Sequence, residues 1–155
     1  MASVLDVAQC ILSLGDRNFS VAMQLSRLCF FSQALNWHTF GRPLFSETSY
    51  AGTTAPLYKE LLPLFKGRYF ITEEEIGSYH AQLAAEEERV IHNAHAKFKG
   101  VYGDAFAQIC RDYKIAMDLP APYNHSFGIW LTAPPWLYPE IPQDRIKAVG
   151  EAFFA

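Results

Sequence analysis

The sequence predicts a mainly α-helical single domain: a compact bundle of about six helices with a short β-hairpin or irregular loop after the second helix. Apolar residues recur at helical spacing along most of the 155 residues. Residue types that start helices precede several of these segments, and alternating strand patterns are weak. A chain of this length can bury a core without disulfides or a structural metal, so we expect one domain over residues 1–155.

The first two helices are predicted over residues 4–14, ended by Gly15, and over residues 20–40, with Ser20 as the N-cap. On the second helix, apolar positions fall on two opposite faces. One face carries Val21, Leu25, Leu28, Ser32 and Leu35, and the other carries Met23, Phe30 and Trp37. A helix with apolar residues on both faces lies either at the centre of the fold or half-covered by a partner, and we predict the central position.

A hairpin and several further helices are predicted after residue 40. Residues 41–56 are rich in Gly, Pro, Ser and Thr and predict at most a short hairpin, and Pro56 suits the first position of a helix through residue 65. Thr72 and Glu75 form a candidate capping box for a long helix through residue 98. Asp104 is the expected cap of the next helix, and "IPQD" at residues 141–144 opens the last one. The long helix is expected to bury Ile76, Tyr79, Leu83, Val90, Ile91, Ala94 and Phe98.

Composition argues against nucleic acid and membranes as partners. A net charge of −3 without a basic run gives no electrostatic footprint for nucleic acid. The longest uncharged run, residues 119–139, contains five prolines, which prevent a continuous membrane-spanning helix. Asp6 lies inside the first apolar stretch, and no Lys or Arg precedes it, which argues against a secretory signal. We expect a cytoplasmic protein; a DNA-binding regulator remains an alternative that a mobility-shift assay with its own promoter would test.

Metal and catalytic motifs are weak. The three cysteines are far apart, as expected of buried thiols in a reducing compartment. Glu88, His92 and His95 share one flank of a predicted helix, but this spacing differs from the Glu-x-x-His pattern of di-iron bundles and occurs once. A solvated helix face is the expected role of these residues, and a metal enzyme remains an alternative. We expect no cofactor, no bound metal and no catalytic residues.

Aromatic and arginine side chains in irregular segments are the best candidates for contact with a partner protein, because these residue types dominate binding hot spots. They are Trp37, Phe40, Arg42, Phe45, Tyr50, Tyr58, Arg68, Tyr69, Phe70, Trp130, Trp136 and Tyr138. Aromatic side chains also fill cores, where one buried Phe stabilises a protein by about 1.5–3 kcal/mol. We expect most of this set in the core, and those in the hairpin and the Pro-rich loop at the surface.

Residues 24–47, "QLSRLCFFSQALNWHTFGRPLFSE", resemble the signature of Panacea-domain (SocA-like) antitoxins. That family has a helix of the type K-L-Q-K-L-L-Y-[YF]-[SA]-Q, followed after about seven residues by G-[KR]-P-L-F-[DS]-E. Matching or similar residues here are Gln24, Leu25, Arg27, Leu28, Phe30, Phe31, Ser32, Gln33, Gly41, Arg42, Pro43, Leu44, Phe45 and Glu47. "PLYKELLPLFKGRYFI" and "IPQDRIKAVGEAFF" are similar to later family segments, whereas "TSYAGTTAP" is shorter than the family's hairpin.

The resemblance implies a non-enzymatic antitoxin that binds and blocks a cognate protein toxin, and some relatives also present the toxin to a protease as an adaptor. A phage or prophage protein that inhibits another host protein, such as a defence factor, is the alternative on the same scaffold. A neighbouring gene whose expression is lethal without this chain would separate the two. We expect the partner to contact Arg42, Phe45, Tyr50, Tyr58, Trp130 and Trp136. The identity of the partner and the oligomeric state stay open.

Overall fold

The structure of the protein is a computed structural model that describes residues 1–65, 68–76, 83–116 and 138–155. Most of these residues lie in helices. The helices are α1 (Val4–Ser13), α2 (Ala22–Phe40), α3 (Leu62–Phe65), α4 (Ala85–Phe98), α5 (Gly103–Asp112) and α6 (Gln143–Phe154). Two-residue strands β1 (Tyr50–Ala51) and β2 (Pro56–Leu57) pair antiparallel, with Tyr50 opposite Leu57. The mainly α-helical fold with a small hairpin after the second helix is confirmed. Among the described residues, no helix has both the length and the apolar character that crossing a lipid bilayer requires.

Helix α2 lies at the centre of the fold, as its two apolar faces predict. Every side chain from residue 24 to residue 36 is buried, and α1, α4, α5 and α6 all pack against this helix. Phe31 stands at the middle of an aromatic cluster, with its ring centroid 4.5 Å from that of Phe98 and 5.4 Å from that of Phe106. A helix surrounded on all sides must be apolar or internally bonded around its whole circumference.

The start of α2 differs from the prediction that Ser20 caps it. The Asp16 side chain accepts a hydrogen bond from the Asn18 backbone N–H at 3.1 Å, which begins a 3₁₀ turn over Arg17–Ser20. The Ser20 carbonyl then accepts from the Ile71 backbone N–H at 2.8 Å, and Val21 is extended beside the same segment. The helix therefore begins at Ala22, because residues 20–21 bond to another part of the chain.

Three other helix starts are also wrong in the prediction. Pro56 lies in β2, opposite Ala51, and not at the start of a helix. Thr72 precedes a 3₁₀ turn over Glu73–Ile76, and α4 begins at Ala85 after an extended Ala84, so no continuous helix runs from residue 72 to residue 98. Asp104 lies in the first turn of α5 and does not cap it.

The first and last helices begin at or near the predicted positions, residue 4 and residues 141–144. Ser3 caps α1: its Oγ accepts from the Asp6 N–H at 3.1 Å, and the Asp6 carboxylate accepts from the Ser3 N–H at 3.0 Å. This reciprocal pair satisfies amides that the helix itself leaves free. Helix α6 begins two residues after Ile141 and buries Ile146 and Val149, while Phe153 is half-buried against the core.

Helix α6 packs closely against α2 at Gly150. A β-carbon placed on Gly150 would lie 2.2 Å from the carbonyl oxygen of Ala34, a backbone atom that cannot move aside. We expect Gly150→Ala to lower the free energy of unfolding by about 1–3 kcal/mol, because the two helices must separate. Urea unfolding followed by circular dichroism measures the difference.

Gly103→Ala is the matched control, since an added β-carbon there meets no atom within 4 Å. Alanine is also the better helix former, so this variant should be unchanged or slightly more stable. Equal stabilities of the two variants would contradict the packing of α6 on α2.

Candidate protein-binding surfaces

Two of the expected contact residues, Phe45 and Tyr58, are core residues, so the prediction that they face a partner is wrong. Neither side chain has any exposed surface, and the two ring centroids are 5.4 Å apart. The Tyr58 hydroxyl accepts a hydrogen bond from Ser49 Oγ at 2.8 Å. Burial raises the pKa of Tyr58 well above its ordinary value. Phe45 and Tyr58 therefore contribute to the stability of the folded protein.

Gln33 explains why the turn after α2 folds inward. Its Oε1 accepts hydrogen bonds from the backbone N–H groups of Leu44 and Phe45, at 3.0 and 2.9 Å. Glu47 continues the attachment, because its Oε1 accepts from the Val4 N–H at 3.2 Å. These contacts hold the segment "RPLFSE" against α1 and α2, which places the Phe45 ring inside.

The exposed C-terminal end of α2 forms the first candidate surface, which we call the Arg42 surface and define as Phe40, Arg42 and Glu86. Gly41 ends the helix with a φ of 68°, a left-handed conformation that glycine adopts without strain. The Arg42 guanidinium lies 5.1 Å from the centroid of the Phe40 ring and 3.0 Å from Glu86 Oε1. Phe40 is 36% exposed and the Arg42 side chain 59% exposed, so both groups are available to a partner.

The remaining expected contact residues have different positions. Tyr50 is half-buried in β1, where it pairs with Leu57 and forms an isolated bridge to Glu140. Trp130 and Trp136 lie outside the described residues. Arg42 therefore has the clearest surface position of the described members of the predicted set.

A second candidate surface, the Tyr69 surface, comprises Arg17, Tyr69 and Phe70. Tyr69 is 62% and Phe70 42% exposed, and their rings meet edge to face with centroids 4.8 Å apart. The Arg17 guanidinium lies 4.7 Å from the centroid of the Phe70 ring. Backbone bonds to residues 20–21 hold this segment in place, so the two rings are presented by a fixed backbone. The sequence pattern placed Tyr69 and Phe70 among the aromatic candidates for contact with a partner, but they were not among the six residues expected to form that contact.

A cleft of about 290 Å³ lies beside Tyr69, between the start of α2 and α5. Arg27 forms part of its wall and is only 3% exposed. Its Nε and Nη2 donate to the Thr54 carbonyl at 3.1 and 3.0 Å, and its Nη1 donates to Gln24 Oε1. Burial lowers the pKa of Arg27 from its ordinary value. The burial of Arg27 was not predicted from the sequence. The two apolar faces of α2 nevertheless indicated it, because polar residues between two packed faces of a helix are also covered by the protein.

The residues considered for metal binding do not converge. Glu88 and His92 are exposed on α4, whereas His95 is half-buried with its Nε2 2.8 Å from Asp16 Oδ2. Within the described ranges no group of three or more His, Cys, Asp or Glu side chains is placed to hold a metal ion.

The cysteine thiols are all buried, as predicted. Burial raises the pKa of Cys10 to about 11 and that of Cys110 to about 12, and it raises the pKa of Cys29 further. Thiols with raised pKa values are protonated at neutral pH and are poor nucleophiles. These three cysteines therefore serve as buried side chains that fill the core.

Comparison of the chain with protein-family models, with curated proteins and with solved structures finds no match.

Proposed function

We propose that this chain is an antitoxin that acts in the cytoplasm by binding a cognate protein toxin and covering the surface the toxin needs. The observation that supports this proposal most is a repeated surface feature: an arginine guanidinium lies over an exposed phenylalanine ring at two separate places. Arg42 lies over Phe40, and Arg17 lies over Phe70. Arginine and aromatic side chains are the residue types enriched at interface hot spots.

Such pairs suit a binding surface for a physical reason. A free aromatic ring at the surface exposes apolar area to water, and its burial by a partner is favourable. The guanidinium fixes the ring and retains donors for acceptors on the partner. The pairs at Phe40 and Phe70 therefore combine apolar anchors with polar specificity.

Inhibition by this route needs an interface of ordinary size, about 1,600 Å² in total for a stable complex. We assign Arg42 and Phe40 to this interface, with the exposed part of Tyr50, and we keep the predicted Trp130 and Trp136 as further contacts. The resemblance to Panacea-domain antitoxins, stated above on residues 24–47, is the reason for choosing a toxin as the partner. Presentation of the toxin to a protease remains part of the same proposal.

Co-purification tests the proposal directly. The tagged chain is expressed from its native locus and purified, and the proteins that accompany it are identified by mass spectrometry. We expect one protein in stoichiometric amount, encoded beside this chain, whose expression alone arrests growth and whose co-expression with this chain restores growth.

Two results would contradict the proposal. If no protein accompanies the chain, binding as its mode of action is wrong. If a stoichiometric protein accompanies it but does not arrest growth when expressed alone, the antitoxin function is wrong, and inhibition of another host protein becomes the better explanation.

A further inference from the structure

We draw no further inference here: the strongest candidate, the cleft beside Tyr69 between the start of α2 and α5 with the buried Arg27 in its wall, carries none because nothing in the structure shows what occupies it.

Discussion

Phe45→Ala is expected to lower the free energy of unfolding by about 3–5 kcal/mol, the range found when a large core side chain is truncated and leaves a cavity. The Phe45 ring has no exposed surface and packs edge to face on Tyr58. The turn that carries it is bonded to Gln33, so the backbone cannot easily collapse into the space. Urea unfolding, monitored by circular dichroism and by tryptophan fluorescence, gives the difference.

Phe40→Ala is the matched control, with the same substitution five residues earlier. Phe40 is 36% exposed at the end of α2, so its truncation should cost less than about 1 kcal/mol. If Phe45→Ala unfolds at the same urea concentration as the parent chain, the inward position of the turn is wrong.

Gln33→Leu is expected to cost about 2–4 kcal/mol, because it leaves two buried backbone N–H groups without an acceptor. Those groups belong to Leu44 and Phe45 and bond to one oxygen atom, Gln33 Oε1. Leucine has a similar volume, so the loss reports hydrogen bonding more than packing. We also expect faster hydrogen exchange at the amides of Leu44 and Phe45 than in the parent chain.

Gln108→Leu provides the comparison, since Gln108 bonds to neighbours on its own helix from an exposed position. Its stability should change by less than about 0.5 kcal/mol. Unchanged exchange at the Leu44 and Phe45 amides in Gln33→Leu would contradict the role assigned to Gln33.

The helical architecture was predictable because helical periodicity is a local signal. Two apolar faces on α2 predicted its central position, and the structure buries every residue from 24 to 36. Helix starts were less predictable, since they depend on contacts with distant residues. Ser20 is an acceptable N-cap by composition, but the Ile71 N–H bonds to its carbonyl and Val21 pairs with Phe70.

The division between core and surface aromatic residues was less accessible to sequence reasoning. Phe45 follows a Gly-Arg-Pro turn, a context that suits an exposed loop, yet Gln33 pulls this segment inward. Tyr58 is buried although its hydroxyl requires a partner, because Ser49 is adjacent across the hairpin. Such side-chain bonds connect residues 9 to 12 positions apart and leave no periodic pattern in the sequence.

The residues that carry the family resemblance largely have structural roles here. Gln33, Leu44, Phe45 and Glu47 join the turn to α1 and α2, whereas Arg42 lies on the surface. These residues can therefore specify the junction between helix and turn without specifying a partner. Partner choice would depend on exposed residues such as Phe40 and Tyr69, which the motif does not include.

The measurement that tests the central claim most directly is the affinity of the co-purified protein for the parent chain and for a Phe40→Ala, Arg42→Ala variant, by isothermal titration calorimetry. If the chain acts by binding through the Arg42 surface, the variant should keep its melting temperature within a few degrees and lose at least about 30-fold in affinity. Growth arrest by the partner should return in cells that express the variant. Unchanged affinity and full neutralisation by the folded variant would contradict the claim.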